Sequence, residues 1–312
     1  MKRGSDGGAA WHSSNRSMRS RLRSAKDHGS RLARYVVRQA DAIEPTLGST
    51  PCLQGGYHTP HTSRRGGDSP NPEGLDDTTI IITSTAGGLF EITLSFLDDK
   101  WPVYVVDGSN GCYGLPALEH AVENVPARWA VLLDEDAFVL DNARLRDLVA
   151  WTAASGHAAV GVPDGGVIPR RTHNPNALNL FFNILDLEAI RAVWNPLACR
   201  RWMGRGSKMT RPWPPAPLLK PDVPYQFDDY EPYYCFYFWL AEVGLSTAYL
   251  DAREHSDGLS VIVLDHEGQP VAIHSWYARE FDDEGPMRTR ILDVVDYARG
   301  GPDRGERWRG HV

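Results

Sequence analysis

Three acidic residues, Asp134, Glu135 and Asp136, follow directly after a short apolar run. The run at 129–133 reads WAVLL, which is typical of a strand buried on both faces. Because successive side chains of a strand point to opposite faces, Asp134 and Asp136 are expected to point one way and Glu135 the other. Paired carboxylates supply the hard oxygen ligands that Mg²⁺ and Mn²⁺ prefer. The pattern predicts a divalent-cation site, with a solvated acidic turn as the alternative.

Strands and helices must place these acids at an edge where a ligand can reach them. The predicted elements are, in chain order, a strand at 78–85, a helix at 89–97, a strand at 103–110, a helix at 115–125 and a strand at 129–134. The strands are rich in β-branched residues and end in turn residues, and the helices have a helical apolar spacing. This alternation predicts a parallel sheet, with acids ending its last two strands. Open sheets of this class bind ligands at the carboxyl ends of their strands.

With these acids in this order, the chain resembles the GT-A fold glycosyltransferases, most closely their family 2 type. The motifs that carry the resemblance are TSTAGG at 83–88, VVDGSN at 105–110, the acids Asp134 to Asp136, and the segments 176–194 and 227–252. The resemblance covers roughly residues 78 to 277. It implies a Rossmann-like α/β fold, with a mixed, mainly parallel sheet flanked by helices. The expected catalytic domain is 74–300, with a nucleotide-sugar half at 74–160 and an acceptor half at 161–300.

The resemblance also implies roles for individual residues. Those expected to bind a nucleoside-diphosphate sugar are Thr83, Ser84, Thr85, Asp107, Asp134 and Glu135. Those expected to hold Mn²⁺ or Mg²⁺ are Asp134, Asp136 and His274, with His255 as the alternative histidine. His274 follows a predicted strand at 270–273. Family members usually carry two adjacent aspartates after the second strand, whereas Asp107 is followed here by Gly108.

The candidate general base lies in the segment FDDYEPYY at 227–234. Sugar transfer with inversion needs a carboxylate that takes the proton of the acceptor hydroxyl. By the family pattern Asp229 is the expected base, and Asp228 and Glu231 are the alternatives. The competing interpretation is structural, with Asp228 or Asp229 serving as the N-cap of the helix that follows.

The resulting prediction is a metal-dependent glycosyltransferase that moves one sugar to an acceptor the sequence does not specify. A Gln-x-x-Arg-Trp run, the mark of processive synthases, is missing around 200–202. One alternative is a catalytically inactive, glycosyltransferase-like binding or scaffold protein. A sugar-phosphate nucleotidylyltransferase is the other, but its Gly-rich signature is not found in TSTAGGLFEI at 83–92. Between 200 and 224 a basic, proline-rich segment is expected either to close over the donor or to be a surface loop.

Charge and composition bear on the rest of the chain. The 312 residues carry a formal net charge of -7, yet residues 1–38 hold ten Lys or Arg and two Asp. The acidic remainder argues against a nucleic-acid groove. Residues 1–73 lack a sustained apolar period, so a disordered basic extension is predicted, with one short helix at 30–43. A transit peptide is the alternative interpretation of this leader.

Targeting and redox signals are few. No apolar run approaches the roughly 20 residues of a membrane span, so none is predicted. The four cysteines are widely spaced, which indicates neither a disulfide framework nor a zinc site. A cytoplasmic location is therefore expected. Residues 301–312 are predicted to be a tail outside the domain.

Overall fold

A computed structural model describes residues 55–58, 77–85, 87–109, 111–165, 171–209 and 224–309, the first of these by backbone only. The strands are β1 (Gly55–His58), β2 (Thr78–Ser84), β3 (Val103–Asp107), β4 (Trp129–Asp134), β5 (Ala137–Val139), β6 (Ala159–Pro163), β7 (Leu178–Asp186), β8 (Thr247–Tyr249), β9 (Ala252–Glu254), β10 (Val261–Leu264) and β11 (Pro270–His274). The helices are α1 (Leu89–Leu94), α2 (Leu115–Asn124), α3 (Asn142–Ser155), α4 (Leu187–Val193), α5 (Pro196–Arg200), α6 (Tyr234–Glu242) and α7 (Pro286–Ala298). Short 3₁₀-helices cover Gly206–Lys208, Ala278–Glu280 and Gly305–Trp308.

A seven-stranded sheet in the order β1-β3-β2-β4-β7-β6-β8 forms the frame of the domain. β3, β2 and β4 are parallel neighbours, β7 is antiparallel to both β4 and β6, and β8 is parallel to β6. With β1 antiparallel to β3, five strands run one way and two run the other. The prediction of an α/β fold with a mixed, mainly parallel sheet is confirmed.

The strands of this sheet are buried on both faces, as their apolar runs predict. Ala130 and Leu132 of β4 pack into the core shared with α2, α4 and α6. Val131 and Leu133 pack on the opposite face, in the core shared with α3. The helices therefore flank the sheet on both sides and leave the carboxyl edge of the parallel strands as the place where polar side chains collect.

A second sheet, fully antiparallel and in the order β5-β11-β10-β9, lies beside the first. The chain passes from the first sheet to the second through the turn between β4 and β5, which contains Glu135 and Asp136. β11 pairs with β5 so that His274 lies opposite Ala137. A third apolar cluster, which includes Phe138, Ile273 and Ile291, joins this sheet to α7.

Three findings differ from the expectations. β1 lies within the extension, where no strand is predicted, and its residues pair with β3 through the backbone. The expected tail packs on α7, since the indole N–H of Trp308 donates to Asp293 at 2.7 Å. Cys112 is disulfide-bonded, with its partner outside the described residues, so the expectation of no disulfide is wrong there.

Other predictions concern residues that the structure does not describe. They are the state of 1–54 and 59–73, the helix at 30–43, and the part of the basic loop at 210–223. Within the described part of the chain, no helix has both the length and the apolar character needed to cross a membrane.

Candidate active site

The register of the two sheets brings three metal-ligand side chains together. Asp134 ends β4, Asp136 lies in the turn that follows, and His274 ends β11. One ligand atom from each lies within 4.8 Å of the others. His274 Nε2 and Asp136 Oδ1 are 2.9 Å apart. The sequence places Asp136 and His274 far apart, and the pairing of β5 with β11 explains why they meet.

The surroundings of this group suit a cation. Asp136 and His274 are buried, and within the described residues neither Asp134 nor Asp136 forms an ion pair with Lys or Arg. A buried carboxylate without a cationic partner is costly, and a divalent ion would offset that cost. Burial raises the pKa of Asp134 to about 6, against the opposing influence of His274.

The imidazole of His274 is held by aromatic rings. It stacks on Phe181, with ring centroids 4.3 Å apart and an interplanar angle of 9°, and it also contacts Trp276. Its buried Nδ1 has no hydrogen-bond partner among the described residues. The ring is therefore oriented by packing, with Nε2 turned toward the two carboxylates. An Asp, Asp, His donor set of this kind fits Mn²⁺ or Mg²⁺.

Glu135 points away from this group, as the alternation of strand side chains predicts. Its carboxylate accepts hydrogen bonds from the Ser84 hydroxyl at 3.0 Å and from the Thr85 backbone N–H at 3.0 Å. The Thr85 hydroxyl donates to it as well. Three of the expected donor-binding residues thus contact one another, and Glu135 fixes the loop that follows β2.

A small cleft opens beside Asp134 at the carboxyl edge of the sheet. Its lining residues are Ile81, Thr83, Tyr113, Gly114, Ala117, Leu118, Leu132, Leu133, Asp134 and Leu180. Thr83 and Asp134 come from neighbouring strands and lie opposite each other in the register of β2 and β4. An apolar cleft with a few polar groups at one end is the common form of a small-ligand site.

Asp107 ends β3 on the other side of β2. It accepts a hydrogen bond from the Ser109 backbone N–H at 2.9 Å and another from the Ser109 hydroxyl, and these bonds lower its pKa. Gly108 lies close to the strand before it. A Cβ at this position would lie 3.1 Å from both the Ser84 carbonyl oxygen and Thr83 Cγ2. An aspartate at 108 would therefore require its neighbours to shift by a few tenths of an ångström.

The acids of 228–231 do not cap α6. The helix begins at Tyr234 with Tyr233 at its N-cap and no side-chain cap bond, so the capping interpretation is wrong. Asp229 instead receives the Gly206 backbone N–H, with both oxygens at 2.7 Å, and burial raises its pKa. Asp228 Oδ2 lies 3.0 Å from His173 Nδ1.

Glu231 belongs to a separate, half-buried cluster around Arg171. The guanidinium binds both oxygens of Asp164, at 2.7 and 2.8 Å, and reaches Glu231 at 3.5 Å. The Arg171 guanidinium also lies 5.3 Å from the ring of Trp276, which contacts His274. Burial raises the pKa of Glu231 to about 7, although Arg171 opposes the rise. Through Trp276, this cluster adjoins the candidate metal ligands.

Asp164 and Arg171 were not predicted from the sequence. Asp164 directly follows β6, and an acid at the carboxyl end of a strand was the signal that identified Asp107 and Asp134. The same rule could have found it. Arg171 carries no local signal, because its role depends on contacts with Asp164 and Glu231 that are distant in sequence.

The alternative histidine lies elsewhere. His255 Nδ1 is 3.4 Å from Asp257, and its Nε2 is 3.3 Å from Asp303. Its ring packs on Tyr297 of α7. Among the described residues the group of metal-ligand side chains contains His274 and not His255.

Comparisons with known proteins give little further guidance. No family model matches the chain, and no curated protein matches it. A solved structure that matches is a mannosyltransferase from Pyrobaculum calidifontis in complex with GDP-Man and Mn²⁺, at 15% sequence identity and a TM-score of 0.30. The match covers 40% of this chain and 48% of that chain. A likeness at this level assigns no function.

Proposed function

We propose that the chain is a metal-dependent glycosyltransferase that moves one sugar from a nucleoside-diphosphate sugar to an acceptor hydroxyl. The observation that carries the proposal is the convergence of Asp134, Asp136 and His274 beside the cleft. A Mn²⁺ or Mg²⁺ ion bound there would neutralise the charge of a diphosphate leaving group. The order of the motifs along the chain supports the same assignment.

The donor is proposed to lie along the carboxyl edge of β3, β2 and β4. Thr83 and Asp134 line the cleft, and Asp107 ends the adjacent strand. Ser84 and Thr85 belong to the loop that Glu135 holds in place, and they are proposed to contact the donor. The acceptor is proposed to approach from the side of Trp276 and the Arg171 cluster, whose residues are not among those that line the cleft.

A carboxylate must accept the acceptor proton if the reaction inverts configuration. Asp229 is the candidate by family pattern, but both of its oxygens are engaged by one backbone N–H. Glu231 adjoins the metal ligands through Arg171 and Trp276, and a pKa near 7 suits a base at neutral pH. We therefore propose Glu231 as the base and Asp229 as its competitor.

The experiment is hydrolysis and transfer with UDP-, GDP- and dTDP-sugars in the presence of Mn²⁺. Wild-type protein is expected to release nucleoside diphosphate, and EDTA is expected to abolish the release. Asp136→Ala should be inactive, while the matched surface control Glu267→Gln should behave as wild type. Full turnover in EDTA, or Mn²⁺ binding by Asp136→Ala at wild-type affinity, would contradict the proposal.

A sugar-nucleotide-binding protein without turnover is the second candidate. The observation that favours it is that both candidate bases are engaged, Asp229 by the Gly206 backbone N–H and Glu231 by the Arg171 guanidinium. Calorimetric titration with each donor separates the two. Donor binding that needs Mn²⁺, with neither hydrolysis nor transfer to sugar, lipid and peptide acceptors, would favour the binding protein.

We also propose the cytoplasm as the compartment. Cys199 and Cys235 are free thiols whose sulfur atoms lie 3.9 Å apart, as expected where reductants keep such pairs open. The disulfide at Cys112 is the contrary observation. Alkylation of the protein in intact cells, followed by mass spectrometry, decides the question. A disulfide between Cys199 and Cys235 in that experiment would contradict a cytoplasmic location.

A further inference from the structure

Exposed apolar side chains of the described residues concentrate at one corner of the fold. Among the described residues, five large hydrophobic side chains are exposed: Val193 (40%), Leu197 (71%), Met203 (41%), Val243 (38%) and Leu292 (41%). Val193 and Leu197 lie in α4 and α5, and Met203 and Val243 follow α5 and α6 within three residues. Only Leu292 lies on α7. Exposed apolar residues scattered singly need no explanation, but a cluster of four does.

Contacts in the core bring these four together. Trp194 packs on Trp239, with ring centroids 5.1 Å apart, which holds the end of α4 against α6. The Trp202 indole N–H donates to Glu242 at 2.5 Å, which brings Met203 to the end of α6 where Val243 lies.

The orientation of α5 follows from its buried face. Cys199 is buried and lies 3.9 Å, sulfur to sulfur, from Cys235 of α6. Leu197, two residues earlier, is then turned outward.

The same corner carries exposed cations beside its apolar side chains, and Glu242, which accepts the Trp202 indole N–H, is an acid there. Residues 193–209 contain four cations, Arg200, Arg201, Arg205 and Lys208, and no acid, in a chain of net charge -7. Arg200 pairs with Glu119. Arg201, Arg205 and Lys208 are exposed, and none of them forms an ion pair within the part of the chain that the structure describes. These three cations therefore remain available to a partner.

We propose that this corner docks on a membrane surface that carries anionic lipid headgroups. The docking corner comprises Val193, Leu197, Met203, Val243, Arg201, Arg205 and Lys208. Apolar side chains enter the boundary between headgroups and acyl chains, while cations beside them bind lipid phosphates. The combination of exposed apolar side chains and exposed cations matches an anionic lipid interface.

The docking corner touches the candidate site. The Gly206 N–H, between Arg205 and Lys208, donates to Asp229 of the acidic segment. Asp229 is therefore an acid that adjoins the corner, and the three cations must outweigh it at an anionic surface. Binding to lipid needs no turnover, so the inference can fail or hold independently of the proposed glycosyl transfer.

The experiment is flotation of the full-length protein with two kinds of vesicle, one of phosphatidylcholine alone and one with equimolar phosphatidylglycerol. Binding is expected only with phosphatidylglycerol, and it should weaken as ionic strength rises. Two variants should each lose at least about tenfold in affinity for the phosphatidylglycerol vesicles. They are the double variant Leu197→Ser, Met203→Ser and the triple variant Arg201→Gln, Arg205→Gln, Lys208→Gln.

The control combines Leu292→Ser with Lys100→Gln, an exposed apolar residue and an exposed cation away from the corner, and it should bind as wild type. Every variant keeps the basic residues 1–38, so binding through that segment alone would leave the variants unchanged and overturn the proposal. Equal binding to phosphatidylcholine, or equal binding to polyglutamate, would overturn it too. So would a dimer, detected by light scattering, that Leu197→Ser dissociates.

Discussion

At the scale of single residues, Asp134 and Asp136 differ in their surroundings. Asp136 is buried against His274, whereas Asp134 is partly accessible from the cleft. We predict that Asp136→Ala weakens Mn²⁺ binding by at least about 100-fold, because outer partners alone contribute 10- to 100-fold. Asp134→Ala should cost less. Calorimetric titration with Mn²⁺ checks the order, and a larger loss in Asp134→Ala would contradict it.

A second residue-scale prediction separates the two candidate bases. Glu231→Gln should lower kcat by about 10²- to 10⁴-fold, the range for removing a positioned base, with little change in donor binding. Asp229→Asn keeps an oxygen that can accept the Gly206 N–H, so it should retain most of the wild-type kcat. The reverse pattern in steady-state kinetics would move the role to Asp229.

The same carboxyl predicts a pH dependence. Because burial raises the pKa of Glu231 from 4.5 to about 7, the folded state binds its proton more tightly than the unfolded state does. Its ionisation therefore costs stability progressively between about pH 4.5 and 7, and kcat/KM should rise through about pH 7 as the base ionises. Melting temperatures of Glu231→Gln and wild type should be similar near pH 5 and diverge in favour of the variant by pH 8. A constant difference would contradict the assignment.

The carboxylates of the candidate site could be predicted in part because they obey a local rule. Asp107, Asp134 and Asp136 follow apolar strands, and strand alternation separates Glu135 from its neighbours. His274 could be predicted for the same reason, because it ends a strand. Arg171 was not, because three partners from different segments define its role.

At the scale of elements, α7 holds the strand end that carries His274. Arg290 of α7 is fully buried, and it pairs with Asp257 at 2.6 Å. It also donates to the backbone carbonyls of Ser275 and Trp276, at 2.5 and 2.9 Å. Trp276 and Tyr277 have positive φ angles of 62° and 69°, which non-glycine residues adopt only where other contacts support them. The Arg290 anchor supplies that support.

We predict that Arg290→Met lowers the free energy of unfolding by about 3–5 kcal/mol, the range for removing one partner of a buried ion pair. Asp257 would be left buried without its cation, and its pKa, which is now well below the ordinary value, would rise. The matched control on the same helix is Arg288→Met, whose guanidinium lies on the ring of Phe281, and it should cost less than about 1 kcal/mol. Urea unfolding compares the two. Equal losses would show that Arg290 is not an anchor.

Elements with long, uniform patterns were the predictable ones. An uninterrupted pattern of apolar residues marks each of β2, β3, β4 and α2. Their observed bounds agree with the predicted bounds to within three residues. The second sheet was not predicted as a sheet, because strands such as β5 and β9 have three residues each. Their pairing is set by contacts between distant segments, which no local pattern contains.

At the scale of the whole molecule, all of the described residues belong to one compact unit, 50–311. A shortened chain that begins at Thr50 is therefore expected to keep the melting temperature of the full chain. One that begins at Glu73 loses β1 and leaves the edge of β3 unpaired, so it should melt earlier and aggregate. Scanning calorimetry and light scattering test both chains. Equal stability would show that β1 contributes nothing.

The turn between β4 and β5 places ligands from both sheets around one point, since Asp134 ends a strand of the first and His274 ends a strand of the second. A cation there would link the two sheets, which otherwise contact each other through apolar packing. Binding to the folded state alone raises stability by RT ln(1 + [L]/Kd), about 2.7 kcal/mol at a hundredfold excess over Kd. Mn²⁺ should therefore raise the melting temperature of wild type and not that of Asp136→Ala, and heat resistance would follow the supply of metal even where no sugar is transferred.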